Sequence, residues 1–158
     1  MFDIEKAQNP LEQMEEITAV LKDRLGERME EFLIPPPVFT FMEGEFIAFN
    51  KVEGWLKARF PIKQEYLNPY RVMQGGMIAA AIDNTLGPLS MLIAPPNVTR
   101  TIEVKYSSPI SLELGSMIVL AHLEERNDRE LHFRVEVRSE VGRLLARASA
   151  RHWITELG

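Results

Sequence analysis

Between Arg71 and Arg100 the chain carries one charged side chain, Asp83. The residues around it read as a helix from about Gly75 to Leu92. That helix is apolar on almost every side, so it is expected to be enclosed by protein. The longest apolar run, Met77 to Pro96, is interrupted by Asp83, Asn84, Pro88 and Pro95. A membrane span needs ~20 mostly apolar residues, and a carboxylate near its middle costs ~2.5–3.5 kcal/mol. The run therefore reads as the buried helix of a soluble domain. Gly87-Pro88 is a place for it to kink or end early, and Pro95-Pro96-Asn97 closes it.

What precedes the helix supplies an accessory layer and the first strands. Asn9-Pro10 is a helix start, with Asn capping the orphan amides and Pro suiting the first turn. Leu11, Met14, Ile17, Leu21, Leu25 and Met29 then recur at three- and four-residue steps, one apolar stripe. Gly26 weakens its end, and Pro35-Pro36-Pro37 stops it. Phe39 to Met42 and Glu45 to Phe49 look like strands joined at Glu43-Gly44, and Trp55 to Phe60 like another after Glu53-Gly54. Ile62 to Gln74 has poor periodicity and reads as a loop.

After the helix the pattern is strand throughout. From Thr99 to Tyr106 the residues alternate, with Ile102, Val104 and Tyr106 on one face and Thr99, Thr101, Glu103 and Lys105 on the other. Met117 to Leu123 is apolar on both parities. Leu131 to Arg138 alternates again, and Leu144 to Ile154 forms the last strand. Turn signals at Asn127-Asp128 and Glu140-Val141-Gly142 are hairpin-length, which implies antiparallel pairing. The order predicts an α+β fold, an antiparallel sheet curled around one long central helix, with an extra N-terminal helix. The 158 residues suit one sizeable core. They divide into a helical extension over 1–37 and a main domain over 38–158.

Composition excludes several classes. At 46% hydrophobic and 26% charged the chain is not a disordered one. A net charge of -5 argues against nucleic acid, whose phosphates need a positive surface. The absence of cysteine removes disulfides, thiol nucleophiles and Cys-ligated zinc. Met1 to Lys6 lacks the basic-then-apolar order of a secretory signal, so a cytoplasmic chain is expected, without a membrane partner.

Asp83 is then the residue to explain. A charged group is rarely buried without a partner, and functional sites are where such a cost is tolerated. A structural Asp that caps a backbone end or pairs with an Arg is the alternative. Ala79, Ala80 and Gly87 lie on the same helical face and leave space beside the carboxylate, although small residues also permit close helix packing. Gln74-Gly75-Gly76 places unpaired amides at the positive end of the helix, where they can polarise a carbonyl, unless the pair is merely a flexible joint. Gly75 and Asp83 lie ~12 Å apart at 1.5 Å per residue, so one carbonyl can hardly touch both within a chain. Two such helices antiparallel across a twofold axis would bring them together, which predicts a dimer with composite sites.

Asn68, then Gln74-Gly75-Gly76, then Asp83-Asn84, then Tyr106-Ser107-Ser108-Pro109, in this order, resembles the hotdog-fold acyl-CoA thioesterases of the phenylacetate-pathway type. The resemblance runs from about Val38 to Ile154. It implies an antiparallel sheet around a central helix, assembled as a homodimer or dimer of dimers with active sites at the subunit interface. It implies that Asp83 is general base or nucleophile on an acyl-CoA thioester, that the Gly75 amide polarises the carbonyl, that Asn68 helps place water or substrate, and that Thr99 assists through its hydroxyl, with Thr101 beside it. Gly76, Met73 and Met77 would meet the substrate. No metal and no cofactor are implied beyond the coenzyme A of the substrate.

Gln74 departs from the usual His-Gly-Gly. It can donate and accept a hydrogen bond but cannot take an extra proton as His can. His122, His132 and His152 show no metal spacing and read as surface or packing residues. Arg143, Arg147 and Arg151 read as a solvated strand face, or alternatively as contacts for coenzyme A phosphates, Arg143 and Arg147 foremost. A thioester suits modest equipment, because one base is worth ~10²–10⁴-fold and an oxyanion donor another ~10²–10³. Competing readings are a non-catalytic acyl-thioester or lipid binder and a hotdog dehydratase. The first does not account for Asp83, and the second needs a His paired with a carboxylate.

Overall fold

The computed structural model describes residues 9–155, so the Met1–Lys6 stretch read above for a secretory signal lies outside them. Helix α1 spans Pro10–Leu25, and Asn9 Oδ1 accepts from the Leu11 amide at 3.1 Å. Such a cap is worth about 1 kcal/mol. Gly26, at φ 56°, ends the helix in a backbone conformation that favours glycine. The inward stripe of α1 is Gln13, Ile17 and Leu21. Leu11 is 73% exposed, because six positions from Ile17 place it about 120° around the helix.

Phe39 to Met42 is not a strand. Pro37–Phe41 forms a short helix, α2, with Pro37 in its first turn. The helical step explains why Phe39 is 1% exposed and Phe41 66%, since a strand would put both on one face. Phe39 stacks on Phe46 at 4.5 Å between ring centroids and meets Phe60 edge-on at 5.7 Å. Gly44 sits against this cluster, where a Cβ would stand 2.6 Å from the Phe39 ring.

Six strands follow, β1 (Glu45–Asn50), β2 (Trp55–Pro61), β3 (Asn97–Tyr106), β4 (Ser116–Arg126), β5 (Glu130–Ser139) and β6 (Leu144–Ile154). They form one antiparallel sheet in the order β1-β2-β4-β5-β6-β3, with β1 and β3 at its edges. Helix α3 runs from Gly75 to Ile93 and packs on β2, β3, β4 and β5, while α1 lies against β1 and α3. Pro88 lies inside α3, and the helix continues past it to Ile93. By length and composition α3 could cross a membrane, but Ile78, Ile82, Leu86 and Leu89 bury its inner face against the sheet. The expected full enclosure is not met within one chain. A stripe of Gly76, Ala80, Asp83 and Gly87 is exposed or only half-buried, and Asp83 itself is exposed.

Candidate active site

The loop before α3 is held by its own polar groups. Asn68 Oδ1 accepts from the Tyr70 amide at 2.9 Å and the Val72 amide at 3.3 Å. Asn68 thereby shapes the approach to the helix start. The Gln74 amide donates to the Tyr66 carbonyl at 2.7 Å, and the Gln74 carbonyl accepts from Met77 at 2.9 Å and Ile78 at 3.2 Å. The Gly75 and Gly76 amides have no hydrogen-bond partner among the described residues. They form the positive end of a 19-residue helix. Tyr106 donates its hydroxyl to the Gly75 carbonyl at 2.8 Å. A Cβ at Gly75 would stand 3.0 Å from the end of that side chain, so a larger residue needs the exposed Tyr106 side chain to give by a few tenths of an ångström. The Gln74 side chain is exposed.

Eight residues further on, Asp83 receives a hydrogen bond from Thr99. The Thr99 Oγ1 to Asp83 Oδ1 distance is 2.8 Å. This contact depends on a bulge. Thr99 pairs with His152 and Thr101 with Arg151, leaving Arg100 as an extra residue in β3. Cross-strand partners share a face, so Thr99 turns inward with buried His152, and Thr101 turns outward with exposed Arg151. Strict alternation put both threonines on one face, and the bulge overturns that expectation. Thr101 is thereby carried away from Asp83. Arg100 lies over the Trp153 ring, its guanidinium carbon 4.0 Å from the centroid.

His152, read from the sequence as a surface or packing residue, is 1% exposed and joins the site. Its Nε2 is 3.2 Å from Thr99 Oγ1, and its Nδ1 is 2.8 Å from Asn97 Oδ1. Asn97 Nδ2 donates to the Pro95 carbonyl at 2.9 Å, which turns Oδ1 toward the ring. A carbonyl oxygen only accepts, so this network assigns the ring hydrogen to Nδ1. Neutral His152 then presents a bare Nε2 to the Thr99 hydroxyl. Burial holds its pKa below the usual imidazole value, and the nearby Asp83 charge opposes that shift only in part. One hydroxyl hydrogen cannot serve Asp83 and His152 at once, so the chain Asp83–Thr99–His152 has room for one further proton. His152 stands at the end of an inward stripe with Ala146, Ala148 and Ala150. That parity was the available signal for it.

Asp83, Thr99 and His152 line a cavity of about 350 Å³ whose other walls are largely apolar. Met14, Ile17 and Leu21 of α1 contribute, as do Phe32 and Ile34. The Gly75 end faces a different cavity, with Met73, Tyr106 and Ile110 among its lining. Met77 is half-buried against the core and lines neither. Arg147 is on the outer face with Nε 3.6 Å from Glu136, and Arg143 is exposed beside the β5–β6 turn, so neither lines the Asp83 cavity. No group of three or more His, Asp or Glu is placed to hold a metal among the described residues.

An antiparallel sheet wrapped around one long helix is the hotdog fold, and solved structures share it. A phenylacetic acid degradation-related protein from Ralstonia eutropha JMP134 superposes with a TM-score of 0.71 at 24% identity, over 81% of this chain and 98% of its own. The E. coli PaaI protein of the phenylacetic acid degradation operon superposes at 0.72 with 12% identity, over 85% and 94%. A protein of Streptococcus mutans UA159 bound to acetyl CoA gives 0.67 at 17% identity, over 79% and 94%. No family model and no curated protein sequence matches the chain.

Proposed function

We propose that this protein hydrolyses acyl-CoA thioesters, with Asp83 as general base. The observation that carries the reading is the hydrogen-bonded series Asp83–Thr99–His152 at the wall of an apolar cavity. When Asp83 takes a proton from the attacking water, its new O–H can donate to Thr99 Oγ1. The Thr99 hydroxyl is then released to donate to His152 Nε2. The bare acceptor is thus satisfied only after proton abstraction, which favours the transition state over the ground state. That sequence favours base over nucleophile. The likeness in fold to a protein bound to acetyl CoA supports the substrate class.

The Gly75 and Gly76 amides supply the oxyanion donors, but from a second copy. They open onto a different cavity from Asp83 in the same chain. An uncovered stripe on α3 and an unpaired edge along β3 support an antiparallel homodimer that joins them. His152 gives the dehydratase alternative its one observation, a His linked to a carboxylate. Its Nε2 is turned to Thr99 and its Nδ1 to Asn97, however, so neither ring nitrogen is aimed at a substrate C–H bond.

The test is thiol release from a panel of acyl-CoAs, with Asp83→Asn as control. Turnover that disappears in the variant supports the reading. Equal turnover by both proteins, or none by the wild type on any acyl-CoA, would end it.

A further inference from the structure

We propose that the N-terminal extension forms the acyl-binding wall of this site, and that the pocket selects an apolar acyl group of about six to twelve non-hydrogen atoms. The inference rests on the hydrolase reading and adds its substrate class.

The Asp83 cavity is built within one chain. Its polar wall is the hydrogen-bonded set Asp83, Thr99 and His152, beside which the attacking water and the thioester carbon would meet. Phe46, Pro88 and Met91 give it apolar surface from the main domain, and the rest of its apolar wall comes from outside the stretch that carries the thioesterase-like motifs. Met14, Ile17 and Leu21 project from one side of α1, and Phe32 and Ile34 come from the segment that follows. Ile17 and Leu21 are buried, and α1 packs on β1 and α3, so this wall is a fixed part of the fold. A cavity of about 350 Å³ is at the small end for ligand sites. At ~30 Å³ per water-sized unit it holds roughly a dozen such units. A medium alkyl chain or a single ring fills it, and the rest of a long fatty chain would lie outside its apolar walls.

Gly87 controls that space. It lines the cavity four residues after Asp83, on the same face of α3. A Cβ built there meets nothing within 4 Å. Nothing in the packing of the chain forbids a side chain at this position, so one would project into the space beside the carboxylate.

The experiment measures kcat/KM for straight-chain acyl-CoAs from two to sixteen carbons and for an arylacetyl-CoA, in the wild type, Gly87→Ala, Gly87→Leu and Met14→Ala. The wild type should peak in the middle of the series. Gly87→Leu should lower the ratio of eight-carbon to four-carbon rates by about tenfold or more, with Gly87→Ala between, and Met14→Ala should move the optimum to longer chains. A flat wild-type profile, or variants that scale all chain lengths together, would overturn the inference and leave the hydrolase reading intact. A wild type that hydrolyses nothing would remove the hydrolase reading. The pocket is then judged by calorimetric titration with octanoic acid, which is within the size the cavity holds. Binding that weakens in Gly87→Leu supports the pocket, and no binding, or binding equal in both proteins, overturns it.

Discussion

Thr99 Oγ1 lies 2.8 Å from Asp83 Oδ1, a bond from the edge strand to the central helix. Removing the acid should be costly and removing the hydroxyl less so. Asp83→Asn is expected to lower kcat by ~10²–10⁴-fold with little change in KM, since it keeps shape and loses only the base. Thr99→Val should cost ~10–100-fold by unbridging Asp83 and His152, and Thr99→Ser should restore most of it. Steady-state kinetics on one acyl-CoA checks all three. A Thr99→Val enzyme at wild-type rate would remove the bridge from the mechanism.

His152 should appear in the pH profile. Below its depressed pKa the ring carries a proton on Nε2 and no longer accepts from Thr99. Protonation of His152 therefore contributes to the loss of kcat on acidification. His152→Gln should lower kcat and change the shape of that acid limb. A profile of unchanged shape would make His152 a packing residue only.

The same group links stability to pH. The folded-state pKa of His152 is lowered by burial, so the unfolded chain binds the proton more readily. Stability therefore rises with pH across the interval between the two values. On acidification the loss begins at the ordinary imidazole pKa and levels off below the depressed one. Urea unfolding at a series of pH values should show this slope in the wild type and a shallower one in His152→Phe.

The bulge that aims Thr99 has its own support. Arg100, the extra residue, stacks on Trp153. Such a contact at a partly exposed site is worth ~0.5–1 kcal/mol. Trp153→Ala should lower stability by about that amount and lower kcat more than it raises KM, because Thr99 loses its fixed aim. Chemical denaturation and kinetics together check it. A stability loss with unchanged kcat would show that the bulge holds without the stack.

Subunit complementation tests the composite site. Asp83→Asn and Gly75→Pro should each be nearly inactive, the second because proline suits the helix start but lacks the amide. Mixed and refolded together in equal amounts, they should regain roughly a quarter of wild-type activity, since half the dimers are mixed and each carries one intact site. No recovery, with mixed dimers shown to form, would mean that each site is complete within one chain.

Much of the fold was legible because it rests on near-neighbour chemistry. Asn9 and Gly26 bound α1 through contacts a few residues away, and period-two alternation marked β5. Phe39–Met42 misled because apolar aromatics favour strands, while Pro37 and the demand of the core for Phe39 and Met42 on one face favoured a helical turn. The prominence of Asp83 was legible from its isolation among apolar residues. Its exposure was not, since an apolar sequence does not say which helix face the sheet leaves uncovered.

By itself the sequence determined most of the elements and the candidate acid and amides on one helix. These depend on residues one to four positions apart. Only the tertiary structure decided that the bulge at Arg100 turns Thr99 inward, that His152, 53 residues away, completes the hydrogen-bonded series, and that α1 walls the cavity. Those facts depend on the register between distant segments, and a shift of one residue in a strand moves every side chain to the opposite face.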